Sequence, residues 1–495
     1  MSKRGWREPA MAVAATMVFS IGGASSCSNA PDGAQPPSSE RPDPVASSRE
    51  APNQDLHATS SVHPTPSSVT PRWPGLPSGW TLVAAAPDRY TTDHDALMHD
   101  FGQDVAMAFG AGGTPVVAWA SLTDSSNSVY TISATSFVTE TGWSSPVEVA
   151  RARLAPGPTA SLFTMSGAIA EGVVALAFER RDDTGFSAGV DVMFSTDLGR
   201  SWARSAAADG EAYHPAVTVG GGAMHVAYAS AEGYSVSSAV LPPRSRAEPP
   251  APIDGTQLAW KVQQLPALEG FTPADKQPSV ALDNEGRPAV ASISAGADNT
   301  QVATFVHVGD RNAAKAIELA GNPGGVSSVS LAFAGTRAVV SLAIEPRAQA
   351  GVLASVASSD DGGETFNAAQ PVLDGLNERA PFGIGLVAVT PPGGQTVSTA
   401  TTTAPKPAQF VLNFEPDMFK DTSSRCGLPR LVYSSDLSSW TECGAGTDVV
   451  SPATAVIPAN LTPSAVAGPD GRLYVPVTNR NPSAPLPVGI VLWRA

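Results

Sequence analysis

From about residue 76 onward the chain alternates short apolar runs with turns rich in glycine and aspartate. Val105 to Phe109 lead through Gly110-Ala111-Gly112-Gly113 into Val116 to Trp119, and Pro215 to Val219 lead through Gly220-Gly221-Gly222 into Met224 to Tyr228. Pro278 to Leu282 lead through Asp283-Asn284-Glu285-Gly286 into Pro288 to Ile293. Each unit reads as a strand, a tight reversal suited to Gly and Asp, and a second strand. Val329 to Ala334 with Gly335 repeats it, as does Pro463 to Ala467 followed by Pro469-Asp470-Gly471 and Leu473 to Val477; looser copies begin near Thr159 and Phe382. The pattern predicts an all-β chain.

The copies recur at roughly 50 to 60 residues, the period of propeller blades. The folded length then holds about seven four-stranded blades, not the three domains that roughly 150 residues each would suggest. A pair of β-sandwiches shares short strands and Gly-rich turns but does not explain a repeat along the whole length. Alanine-rich runs such as Pro278-Ser279-Val280-Ala281-Leu282 suit strands crowded near an axis. The final copy leaves room for three strands, ending at Gly489-Ile490-Val491-Leu492-Trp493, while Gly79-Trp80-Thr81-Leu82-Val83-Ala84 stands alone ahead of the first copy. Pairing the two closes the ring without exposed edges.

Composition narrows the class. Gly and Pro number 45 each and charged residues make up 15%, which argues against a helical bundle. With net charge −15 and no basic run interleaved with aromatics, nucleic acid is not an expected partner. Lys3, Arg4 and Arg7 precede an apolar stretch from Ala10 to Phe19, the order of a secretory signal. Ala24-Ser25-Ser26-Cys27 resembles the lipobox of bacterial lipoproteins, with Ala24 where Leu is usual, and implies a lipid on Cys27. An ordinary signal peptide, leaving Cys27 a free thiol, is the alternative. With Cys27 lipidated, Cys426 and Cys443 are left to form a disulfide. A redox or metal role for them lacks a Cys-x-x-Cys or clustered histidines. Residues 28–74 are dominated by Pro, Ser and Ala and cannot bury enough surface to order. The expected organisation is a signal peptide over 1–26, a lipidated cysteine with a disordered tether over 27–75, and a propeller over 76–495. The expected setting is the bacterial cell envelope, outside the cytoplasm, with the monomer touching the membrane through its lipid anchor alone.

A more specific signature lies in the second halves of some repeats. Ser195-Thr196-Asp197-Leu198-Gly199-Arg200-Ser201-Trp202 resembles the Asp box, Ser-x-Asp-x-Gly-x-x-Trp, of the sialidase-like BNR repeat propellers. Ser359-Asp360-Asp361-Gly362-Gly363-Glu364-Thr365-Phe366 is a second copy with Phe in the aromatic place. Ser434-Ser435-Asp436-Leu437-Ser438-Ser439-Trp440 is a degenerate third, one residue short and without the glycine. The resemblance implies that each box sits on the turn between third and fourth strands, on the face opposite the ligand mouth. Asp there accepts turn amides, Gly takes positive φ and the aromatic packs on the blade. It also raises six blades, the sialidase number, as the alternative to seven.

The same resemblance places ligands where inner strands start and second strands end. Those positions hold Asp104, Tyr213-His214, Lys276 and Glu378-Arg379, together with Glu179-Arg180-Arg181-Asp182, Glu345-Pro346-Arg347 and Asn479-Arg480-Asn481. Arg181, Arg347 and Arg379 around one mouth could grip a carboxylate. The sialidase catalytic set does not transfer: the nearest early arginine, Arg89, sits in Pro87-Asp88-Arg89-Tyr90, and the late tyrosines Tyr433 and Tyr474 fall inside strands. Asp93-His94-Asp95 with His99-Asp100 and Asp104 could hold Ca²⁺ or a transition metal, but the spacing matches neither an EF-hand loop nor His-Glu-x-x-His, and a solvated acidic loop is the favoured reading. No metal or cofactor is expected. The favoured reading is a non-catalytic recognition module for glycan or protein. A sialidase-like glycoside hydrolase using Glu345 and Tyr213 is the runner-up, and an envelope scaffold the third.

Overall fold

Apolar residues two apart share one face of a strand, and here they are buried between neighbouring sheets. The computed structural model describes residues 80–93, 101–102, 104–109, 114–124, 129–138, 142–153, 165–170, 172–182, 186–242, 255, 258–274, 276–298, 300–309, 314–319, 325–345, 353–372, 384–389, 409–414, 430–442, 466–468, 473–479 and 487–494. All lie within the unit Pro64–Ala495. They form seven antiparallel sheets.

Numbered from the N-terminal side and read from the inner strand outward, blade 1 is Asp104–Phe109, Pro115–Asp124, Val129–Val138 and Val147–Arg153, with Gly142–Trp143 also on its third strand. Blade 2 is Met165–Ala170, Val173–Arg181, Ser187–Ser195 and Ala203–Asp209; blade 3 is Tyr213–Gly220, Ala223–Ser230, Gly233–Val240 and Trp260–Gln264. Blade 4 is Ser279–Leu282, Pro288–Gly296, Gln301–His307 and Lys315–Ala316, with Phe271–Pro273 added on its second strand. Blade 5 is Gly325–Ala334, Arg337–Glu345, Leu353–Ser359 and Gln370–Pro371; blade 6 is Ile384–Val389, Gln409–Phe414, Arg430–Ser434 and Thr441–Glu442. Blade 7 is Val466–Ala467, Leu473–Asn479 and Gly489–Arg494, completed by Trp80–Ala85. The expectation of four strands per blade is corrected for blades 1 and 4, whose sheets count five strands because a short flanking segment joins each.

Inner strands of successive blades touch in order from blade 1 to blade 7, and blade 7 touches blade 1 again. The described residues therefore form a seven-bladed β-propeller. Closure follows the expected pairing: Trp80 lies opposite Trp493, Thr81 opposite Leu492 and Leu82 opposite Val491. Hydrophobic cores fill the spaces between blades. Phe194, Val192 and Val226 join blades 2 and 3; Ile132, Leu176 and Phe178 join 1 and 2; Phe305, Ile293 and Leu342 join 4 and 5. Small residues let inner strands approach: a Cβ on Gly167 of blade 2 would stand 2.7 Å from that of Ala106 in blade 1.

Polar staples reinforce this crowding. The Val217 amide of blade 3 donates to Ser166 Oγ of blade 2 (3.0 Å), Leu331 of blade 5 to Ser279 of blade 4 (2.9 Å), and Leu386 of blade 6 to Ser330 of blade 5 (3.1 Å). Each serine opens a Ser-x-Ala triplet on its inner strand, Ser166-Gly167-Ala168, Ser279-Val280-Ala281 and Ser330-Leu331-Ala332. A backbone N–H left unpaired near the axis would cost about 1–3 kcal/mol, so a hydroxyl acceptor at each close approach stabilises the ring.

Candidate ligand site at the mouth of the ring

The two ends of the ring are built differently. At one end lie the turns between third and fourth strands. In the first Asp box, Ser195 Oγ accepts the Gly199 amide (2.7 Å) and donates to Asp197 (2.8 Å), whose carboxylate also accepts the amides of Arg200 and Ser201. The second box repeats this with Ser359, Gly363, Asp361 and Thr365. Trp202 Nε1 donates to Gly199 O at 3.0 Å in the first box. Phe366 has no such N–H, and Lys315 Nζ from blade 4 donates to the equivalent Gly363 O instead, at 3.2 Å. The shortened third box closes the same network one residue earlier: Leu437 N donates to Ser434 Oγ, and Ser438 and Ser439 amides donate to Asp436. Leu437 takes φ +66° without glycine's help.

Hydrogen bonds hold all three box aspartates ionised. The hydroxyls of Ser359 and Thr365 draw Asp361 well below the usual carboxylate range, and the Ser439 and Ser438 amides do the same for Asp436. Burial would raise Asp197, but the Ser201 hydroxyl and amide and the Ser195 hydroxyl outweigh it. These carboxylates are folding devices.

At the opposite end, inner strands begin and second strands finish. Strand alternation puts Glu179 and Arg181 on one face of blade 2 and Arg180 on the other. Glu179 is 4% exposed, and its Oε1 stands 3.1 Å from Arg181 Nε. Arg180 donates to Asp209 (2.6 Å) and to Ala188 O (2.8 Å), and its second nitrogen lies 3.7 Å from Asp191. Asp191, 1% exposed, is also bonded to Arg204. Blade 2 thus supplies two arginines to this end, both partnered by carboxylates. Arg347, Arg379, Glu378 and Arg480 lie outside the described residues, as do His94, Asp95, His99, Asp100, Cys27, Cys426 and Cys443.

Tyr213 is half-buried and opens the inner strand of blade 3 opposite Ala229. His214 beside it has φ +52°, within a break of register that runs to Ala216. A non-glycine residue in this left-handed region carries strain of the kind that gathers at functional sites. Glu345 closes the second strand of blade 5 opposite Gly325, and Asp104 opens the inner strand of blade 1 opposite Ala120. Lys276 is exposed on a segment pinned by Tyr234, whose hydroxyl donates to Ala274 O at 2.7 Å. Asn479 is buried and donates to Pro487 O, tying the two strands of its connection together. Tyr433 and Tyr474 lie inside strands, as expected.

Arg89 was read from the sequence only as a poor match to an early catalytic arginine, and a second feature was not read at all. Arg89 reaches this end on the single helical turn Asp88–Thr91, stacked 4.4 Å over the Tyr90 ring, whose hydroxyl donates to Leu122 O. The Pro87-Asp88 start of that turn was its only signal. The second feature is a cavity of about 200 Å³ on the axis, between the inner strands of blades 1 to 5 and 7. Its polar lining is Ser166, Gln277, Ser279 and Ser328; its apolar lining includes Met107 and Met165. Among the described residues no ionisable side chain lines it. Among the described residues no group of three His, Cys, Asp or Glu could hold a metal, and no helix is long and apolar enough to cross a membrane.

No protein-family model matches the chain, and no curated protein matches it. Solved structures do resemble it. A protein of unknown function from Dyadobacter fermentans is 13% identical, with 85% of this chain and 99% of that one covered and a TM-score of 0.43. The K499G mutant of NanB sialidase from Streptococcus pneumoniae is 9% identical over 84% of this chain and 70% of that one, at TM-score 0.41. An α-L-arabinanase from Penicillium chrysogenum, solved with arabinobiose, is 11% identical over 68% and 93%, at TM-score 0.38. Likenesses this distant carry nothing about ligand or chemistry; the propeller stands on its own sheet order and ring contacts.

Proposed function

We propose that the ring is a recognition module that binds a glycan or protein at the end where its inner strands begin, and that it is held at the cell envelope by a lipid on Cys27. The observation that carries this reading is the state of blade 2. Its mouth-end carboxylates and arginines are paired with one another, Glu179 with Arg181 and Asp209 with Arg180, while the axis beside them offers a cavity whose lining, among the described residues, is uncharged and bears hydroxyls. Groups arranged in this way hold a shaped surface and do not poise an acid for proton transfer. Arg347 and Arg379 belong to the same proposed surface. The runner-up is a sialidase-like hydrolase built on Tyr213 and Glu345, favoured by the strained His214 next to Tyr213.

A glycan array on the mature chain, run beside hydrolysis of fluorogenic sialosides and neutral glycosides, separates the two. Saturable binding without turnover is expected; turnover lost on Glu345→Gln would establish the hydrolase instead. For the anchor, Cys27→Ala is expected to abolish metabolic lipid labelling, and a label that persists rejects it.

A further inference from the structure

The axial cavity says more about the ligand than the rim does. Resting on the recognition reading above, we infer that it receives one uncharged, hydroxyl-bearing ring, the terminal residue of a neutral glycan. Size sets the first limit. A cavity of about 150 Å³ takes a six-membered carbon ring, whereas drug-sized ligands need roughly 300 Å³ or more. At about 200 Å³ the axial space holds one ring with its substituents and not an oligosaccharide. The rest of the chain must lie across the mouth.

Chemistry sets the second limit. Ser166 and Ser279 each accept one backbone amide and each hydroxyl keeps its proton to donate. Gln277 donates one amide N–H to Pro215 O at 2.8 Å and keeps a carbonyl and a second N–H. Hydroxyls and an amide match a ligand whose own groups both donate and accept. Among the described residues no Lys, Arg or His lines the cavity, so a carboxylate or sulfate would meet no cation from them. Burying an anion there unpaired is prohibitive. Lys276 and Arg89 stand outside the lining, and blade 2's Arg180 and Arg181 are held by their own carboxylates. The net charge of −15 further disfavours acidic ligands. Val280 and Val466, both half-buried, supply an apolar wall against which the carbon face of a ring packs.

The test uses the mature chain on an array of neutral and acidic glycans. Calorimetry follows with the methyl glycosides of the terminal residues that bind, at low and high salt. Neutral glycans are expected to bind with affinity indifferent to salt. Ser328→Met, which fills the cavity, is expected to weaken binding at least about tenfold, and Gln277→Leu, which removes one amide, about three- to tenfold. Gln277→Leu also serves if Ser328→Met does not melt like wild type. Binding confined to acidic glycans, or neutral binding untouched by both variants, overturns the inference and leaves recognition standing. Turnover overturns the recognition reading itself. An array with no glycan bound overturns the inference and leaves a protein as the ligand of the mouth.

Discussion

The Asp-box end and the mouth end of this ring both carry carboxylates and hydroxyls, yet they use them in opposite senses. At the box end each aspartate is wrapped by amides and hydroxyls from its own turn, within four residues in sequence. At the mouth, Glu179 and Arg181 pair within one strand, but Arg180 reaches Asp209 across 29 residues, and among the described residues the axis is lined from six blades. Local networks tolerate variation. The third box loses a residue and a glycine and still closes, and Lys315 replaces the missing indole N–H of the second. At the mouth the arginine pairs join structure to the ligand end, so substitution there should move function and stability together.

The largest effect is expected at Gly363. Its φ is +97°, and a Cβ there would meet the buried ring of Phe305 at 2.3 Å, inside the packed core of blades 4 and 5. Gly363→Val adds left-handed strain to overpacking and should cost about 2 to 6 kcal/mol. Gly199 is the equivalent position in blade 2, with φ +84° but its nearest neighbour Val116 at 3.3 Å, so Gly199→Val should cost about 1 to 3 kcal/mol, mostly strain. Denaturant midpoints of the two variants measure the difference. Equal losses would mean that the box turns are not distinguished by their packing.

At the mouth, Arg181 decides whether this end is gripped by structure or left to ligand. If its guanidinium serves the buried Glu179, Arg181→Ala should cost about 2 to 4 kcal/mol, discounted from a fully buried pair because Arg181 is 16% exposed. Glu179→Leu combined with Arg181→Met should recover much of that loss. A melting curve unchanged in Arg181→Ala would leave its guanidinium to the ligand.

The repeats, the box turns and the closing strand were legible because each is written in a few adjacent residues or in a fixed period. Trp80 to Ala85 could be assigned to the last blade from the strand count alone. The pairing of Glu179 with Arg181 was also legible, since residues two apart on a strand share a face; it was overlooked because arginines near a rim were read as ligand groups. The Ser-x-Ala triplets were visible too, though nothing local says that each serine accepts an amide more than fifty residues away. The cavity was not legible at all. Its lining comes from residues scattered between Ala106 and Val466 that only ring closure brings together.

The smallest effect, and the one that separates the two ends most cleanly, is the response to acid. Asp197, Asp361 and Asp436 are all held below the ordinary carboxylate pKa of about 3.9 by bonds that exist only in the folded chain. A group depressed on folding binds its proton more readily when unfolded. Its contribution is therefore complete above about pH 4 and is lost as the pH falls through its folded value. The melting temperature should decline below about pH 4, and Asp361→Asn should flatten that decline while starting lower at neutral pH. Among the described residues the cavity lining has no group that titrates, so ligand affinity should stay level from about pH 5 to 8, where the boxes remain ionised. Calorimetric titrations across that range, beside melting curves from about pH 2 to 7, place both ends on one axis. An affinity that steps near about pH 6.5 would implicate a histidine such as His214 at the mouth and break the contrast.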